Sequence, residues 1–216
     1  KFNYLQIIIF EMFVLKLKNL ELRYSKKQIR DAEILYKKMK PKDLQDMKFS
    51  IMGGLPASET NYSINGFKKM LDAYKNVKPK DLKENLQDFI RAIIPVAEEN
   101  KIKMAIHPDD PPIPLFGVPR IVSTYEDYNF ILNSYKSQSN GMTFCSGSLA
   151  SNISNDIYKI FNHFKDKINF IHLRNVKIEK DKKSFYESNH LSGDVDFVKL
   201  IKMILKEEKR RSKNKK

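Results

Sequence analysis

The apolar and polar positions of this chain change rhythm near residue 100. Through the first hundred residues hydrophobic side chains recur every three or four positions, the spacing of one face of an α-helix. LKENLQDFIRAIIPVAEEN holds Leu82, Leu86, Phe89, Ile90, Ile93, Ile94 and Ala97 in that phase and predicts a helix from Leu82 to Asn100. Ser25, with Gln28 three residues on, predicts a boxed helix start and a helix running to about Lys38. The pentapeptide KPKDL stands at Lys40 and again at Lys78, and both copies read as helix starts with Pro in the first turn. GGLPASETNYS, from Gly53 to Ser63, reads as a loop. The opening stretch YLQIIIFEMFVLKL, Tyr4 to Leu17, is shorter than the ~20 residues a spanning helix needs, and Gln6 and Glu11 interrupt it. It reads as a buried helix.

From residue 101 the runs shorten. KIKMAIHP, GMTFCSGS and INFIHLRN are brief apolar segments separated by amphipathic stretches at Tyr125 to Tyr135 and Ile153 to Phe164. A last amphipathic stretch runs from Val195 to Glu208. Strand alternating with helix predicts an α/β fold, a parallel sheet with covering helices. No linker divides the 216 residues, so the expected organisation is one domain: mainly helical over 1–100, β/α units over 101–208, a basic tail over 209–216.

Composition narrows the functional classes. At 41% hydrophobic and 31% charged the chain can bury a core and does not read as membrane-embedded. The net charge of +14 raises the question of a polyanionic partner. The lysines are spread along the chain, and only KEEKRRSKNKK at the end is dense, which reads as a solvated surface. The single cysteine excludes an internal disulfide and suits a reducing compartment.

The three strand-like runs share one feature. Each ends in a potential metal ligand: His107 after MAI, Cys145 after MTF and His172 after NFI. In a β/α barrel the C-terminal strand ends face the active site, so three such residues on neighbouring strands would converge. Imidazole and thiolate suit zinc, iron(II) or another first-row divalent ion. Five prolines follow His107 within MAIHPDDPPIPLFGVPR and stiffen the loop behind it. Arg174 is two residues past His172 and on a strand would share its face. Arg174 or Arg120 could grip a carboxylate with a planar fork. Ser146, Gly147 and Ser148 form a small-residue turn after Cys145, and Glu187 and His190 stand in a loop, FYESNHLSGDVD. Each has a plainer reading alone: a buried thiol, a hydrogen-bonded histidine, a structural ion pair, a surface imidazole.

IIPVAEENKIKMAIHPDDPP, FGVPRIVSTYED, NGMTFCSGSLASNISND, FIHLRNVK and HLSGDVD together resemble the mannonate dehydratase family, with weaker likeness at FEMFVLK and GGLP. That family converts D-mannonate to 2-keto-3-deoxy-D-gluconate in hexuronate breakdown. The resemblance implies a TIM barrel of the xylose-isomerase-like kind, incomplete in this chain, with Mn2+ or Fe2+ as cofactor. Carried over residue by residue, His107, Cys145 and His172 match family metal ligands. The family's fourth ligand, an Asp in an Arg-Pro-Asp-His-Gly segment, and its first strands are not among these residues. The expectation is therefore a cytoplasmic hydro-lyase acting on a small acidic sugar, with no nucleic acid or membrane partner and a homo-oligomer left open. His190 and Arg174 are expected to be catalytic, and Arg120, Arg174 and Ser146 to bind substrate. An inactive piece of that enzyme, another metal-dependent sugar isomerase or epimerase on the same barrel, and a basic nucleic-acid-binding protein are the competing readings.

Overall fold

The computed structural model describes residues 1–53 and 63–213. Its contacts form two compact units: residues 3–77 with 114–118, and residues 1–2 with 78–113 and 119–216.

In the first unit the apolar opening stretch is helical and buried. Helix α1 (Tyr4–Ile9) starts where the Asn3 side chain accepts from the Gln6 N–H, then widens into a π-helical turn over Phe10–Val14. Ile8, Ile9 and Phe10 lose all contact with solvent, and so does Glu11. Helix α2 (Lys26–Lys38) has its box: Ser25 Oγ accepts from Gln28 N–H at 3.2 Å, and the Gln28 side chain accepts from Ser25 N–H at 2.9 Å. Helices α3 (Pro41–Gly53) and α4 (Ile64–Ala73) follow. The loop read at GGLPASETNYS falls mostly on residues 54–62, outside the described residues. Phe10, Phe67 and Phe116 form an aromatic cluster, the last two edge-to-face at 5.2 Å.

The second unit begins with α5 (Pro79–Glu99), entered at the second KPKDL. The Lys78 N–H donates to Asp81 at 2.8 Å, as the Lys40 N–H does to Asp43 at 3.0 Å. Both copies are helix starts because Pro tolerates the first turn and Asp three residues on takes an orphan N–H. Strands β1 (Met104–Ile106), β2 (Asn140–Cys145) and β3 (Ile168–His172) form a parallel sheet in that order. Between β1 and β2 runs α6 (Tyr125–Ser134), boxed by Thr124 and Asp127. Between β2 and β3 run a short α7 (Ser146–Ala150) and α8 (Ile157–Phe164). Helix α8 starts four residues later than its apolar pattern, because the Asp156 carboxylate caps it by accepting from the Tyr158 and Lys159 N–H groups. The core behind the sheet gathers Ile94, Tyr128, Ile131, Met142, Phe144, Leu149, Ile160 and Leu200.

Two segments differ from their sequence patterns. FYES, read as loop, is strand β5 (Phe185–Ser188), paired antiparallel with β4 (Asn175–Ile178). Its outer edge is bonded through Phe2, whose N–H donates to the Phe185 carbonyl at 2.8 Å, a pairing four residues of sequence cannot announce. Helix α9 (Phe197–Lys213) runs past Glu208 into the basic segment. Glu207 pairs with Arg210 and Arg211 three and four residues on, and Arg211 also donates to the carbonyls of Lys165 and Ile168. Those bonds hold residues 209–213 in the helix.

The fold is mixed α/β. Among the described residues the parallel sheet has three strands and does not close into a barrel. No described helix is long and apolar enough to cross a membrane.

Candidate metal centre

The pairing register decides which side chains meet at the strand ends. Met142 on β2 pairs with Ile168 on β3, but Thr143 pairs with Phe170, so Asn169 is an extra residue on β3. Uninterrupted pairing would set Cys145 opposite Ile171. The bulge sets it opposite His172, and paired residues on adjacent strands share a face. Asn169 also ties the strands together: its amide donates to the Met104 carbonyl on β1 at 2.7 Å, reaching over Gly141 of β2. A Cβ at Gly141 would overlap that amide, so glycine is needed there.

His107, Cys145 and His172 converge. One donor atom from each lies within 4.8 Å of the other two. His172 Nδ1 is 3.4 Å from Cys145 Sγ and 3.5 Å from His107 Nε2. His107 Nδ1 is 2.7 Å from the Pro108 carbonyl, which can only accept, so Nδ1 carries the proton and Nε2 is left with a bare lone pair. The proline loop therefore selects the tautomer a metal needs. Donors bonded to one ion at ~2.0–2.3 Å stand ~3–4 Å apart, and both separations from His172 Nδ1 fall in that range. The thiol is fully buried while both imidazoles are exposed, so the donors are anchored from below and open above.

Electrostatics agree with a ligand role. Burial pushes the Cys145 thiol up, but the neighbouring His107 imidazole and hydrogen bonds from the Ser148 side chain and backbone outweigh it and bring the thiol below its usual range. The Cys145 sulfur beside it raises His107 above the usual imidazole value, against the opposing effect of burial. A cysteine sulfur beside two imidazoles is a donor set that fits a first-row divalent ion.

The other expected residues are distributed around this cluster. Arg174 Nη1 donates to Asp110 at 2.6 Å and to Ser148 Oγ at 3.4 Å, and its Nε is 3.5 Å from Glu187. Its aliphatic stem lies on Gly147, where a Cβ would come within 2.7 Å of it. Ser146 is fully buried, and its hydroxyl donates to the Arg174 carbonyl at 2.7 Å while accepting from the Arg174 N–H at 3.1 Å. It braces the backbone that carries Arg174. Arg120 pairs with Asp109 at 3.6 Å, and Asp109 also accepts from the Ile121 and Val122 N–H groups and the Ser123 hydroxyl. His190 is exposed, its ring 5.3 Å from that of Phe197, and it is not part of the converging group. Its loop is held by buried Asn175, which donates to the carbonyls of His190 and Val195.

Asp110, Ser148, Asn169 and Asn175 carry much of this order, and pattern reading passed over them as site residues. The weak signals were the small turn after Cys145 and an Asn with a Gly on the neighbouring strand.

Comparison with known proteins places the site in context. The family model described as D-mannonate dehydratase (UxuA) matches residues 12–214. A mannonate dehydratase of Marinomonas sp. (strain MWYL1) is 38% identical over 214 residues, covering 99% of this chain and 55% of that protein. One from Chromohalobacter salexigens is 45% identical over 165 residues, covering 76% of this chain and 42% of its own length. The crystal structure of mannonate dehydratase from Streptococcus suis serotype 2 is 43% identical and superposes with a TM-score of 0.58 over 61% of this chain and 38% of that one. The chain thus spans about half the length of the curated relatives it matches. With ligand-type residues at three parallel strand ends and a family match across nearly all its length, the chain belongs to the D-mannonate dehydratase (UxuA) family.

Proposed function

We propose that this chain supplies the metal-binding strands of an enzyme that dehydrates D-mannonate to 2-keto-3-deoxy-D-gluconate in hexuronate catabolism, on an α/β barrel of the xylose-isomerase-like kind. The observation that carries the reading is the convergence of His107, Cys145 and His172 at three adjacent strand ends. The reaction removes the proton next to the substrate carboxylate and expels the neighbouring hydroxyl as water; the resulting enol becomes the keto acid. The proton is weakly acidic, so negative charge must be stabilised as it leaves. His107, Cys145 and His172 would hold a divalent ion, which would supply Lewis acidity toward substrate oxygens.

The protein's own groups do the rest. Arg174 offers Nη2, which has no hydrogen-bond partner among the described residues, to the substrate carboxylate. Ser146 acts on substrate through the Arg174 backbone it holds. Arg120, anchored by Asp109, supplies a second cation to an anionic sugar. His190 is the acid–base candidate among the described residues, three positions beyond Glu187, the strand residue that pairs with Arg174.

The test is an assay of the full-length enzyme on D-mannonate after stripping with a chelator and after restoring Mn2+ or Fe2+. Keto-acid formation that vanishes on stripping and returns with metal is expected. Metal-independent turnover, or isomerisation without loss of water, would overturn the reading.

A further inference from the structure

The Ser148 hydroxyl stands between two site residues. It is 3.4 Å from Arg174 Nη1 and 3.2 Å from Cys145 Sγ, and Ser148 is fully buried. A guanidinium has N–H donors and no acceptor. Ser148 must therefore accept from Arg174, which leaves its proton free, and a sulfur bound to a metal has no proton of its own to give, so the hydroxyl is the donor toward it. Arg174 is itself fixed, by Asp110 at 2.6 Å on the loop after β1, by Glu187 at 3.5 Å on β5, and by Gly147 beneath its stem. The relay thus runs one way, from Arg174 through Ser148 to Cys145.

We propose that Ser148 is a positioning residue for the metal centre, donating a hydrogen bond to the Cys145 sulfur in an orientation that Arg174 imposes. The proposal rests on the metal reading above. A donated hydrogen bond stabilises the sulfur lone pairs and fixes which of them faces the ion; groups behind a ligand of this kind change metal affinity by ~10–100-fold when removed. The relay also gives Arg174 a second task. By linking the loop after β1, the turn after β2 and the residue just past β3, it couples the positions of all three ligand-bearing strand ends.

The experiment loads the full-length enzyme with Co2+, whose bond to a thiolate gives a sulfur-to-metal charge-transfer band. In Ser148→Ala the band should move to lower energy, because the sulfur electrons are no longer held by a donor, and Co2+ should bind about tenfold more weakly. Arg174→Met should move the band the same way by less, since the hydroxyl remains but loses its orienting partner. An unmoved band in Ser148→Ala overturns the proposal, whether affinity holds or falls, because a fall alone reports packing. Should Ser148→Ala fail to fold, the Arg174→Met band decides by the same criterion. Absence of any charge-transfer band in the wild-type protein overturns the metal reading itself, a result distinct from an unmoved band.

Discussion

Two polar clusters in this molecule solve opposite problems. Glu11 is fully buried, and its carboxylate is used up within its own unit: it accepts from Arg23 Nη2 at 2.6 Å, from the Tyr24 hydroxyl at 2.8 Å and from the Phe116 N–H at 2.9 Å. Burial, followed by the charge on Glu11, raises Tyr24 far above the usual phenol range, so it stays a donor at any working pH. The strand-end cluster is the reverse. His107 and His172 are exposed, and their donor atoms face one another and the Cys145 sulfur. A buried charge satisfied on every side is there for the fold. Donor atoms held rigid from behind and open in front are there for something that comes from outside.

Crossing one mutation from each cluster gives the largest effects. Glu11→Ala leaves Arg23 and the Phe116 N–H without their acceptor and should cost ~3–5 kcal/mol in denaturant unfolding, the usual penalty for breaking a buried ion pair. His172→Ala removes an exposed ring and should change metal-free stability by only about 0.5 kcal/mol. Metal binding should behave the other way, abolished by His172→Ala and retained by whatever fraction of Glu11→Ala is folded. A His172→Ala protein that unfolds like Glu11→Ala would erase the distinction between the clusters.

Arg174 stands on the boundary, with ion pairs like those of Glu11 and an N–H group still open. Arg174→Lys keeps the charge and loses the planar fork. Turnover of D-mannonate by the full-length enzyme should fall ~10²-fold, the scale of one lost charge-stabilising donor. Steady-state kinetics close to wild type would assign Arg174 to structure alone.

The smallest effect is a matter of pH. Glu207, bonded first to Arg210 and then to Arg211, is held down to about 2 from an ordinary value of 4.5. Its folded value lies below the unfolded one, so the pairing contributes stability that is complete above about pH 4.5 and is lost as pH falls toward 2. Melting curves between pH 5 and 2 should show Glu207→Gln losing less stability over that range than wild type. Parallel curves would show that the pairing adds nothing to α9.

Much of this was legible because it is local. A helix cap needs only residues three apart, so Ser25 with Gln28 and both KPKDL starts could be read directly. Strand-end histidines and the thiol were visible because each closes a short apolar run. The β4–β5 hairpin was not, since its pairing depends on partners across the turn, such as Val176 with Glu187. Nor was the fate of Ser146, whose hydroxyl looks like a ligand contact in a small-residue turn and is in fact engaged by a backbone 28 residues on.

The amino-acid order by itself determined the β/α alternation, the helix starts and the three ligand types at the strand ends, because periodicity and caps act over a few residues. Only the tertiary structure decided that these three side chains meet. With regular pairing Cys145 would stand beside Ile171 and His172 would turn to the other face; the bulge at Asn169 corrects the phase. The tertiary structure also decided that Glu11, an interruption in an apolar helix by pattern, is a buried anchor, because Arg23, Tyr24 and the Phe116 N–H arrive from distant parts of the chain. A pattern records which face a residue prefers. Register and long-range partners settle what it finds there.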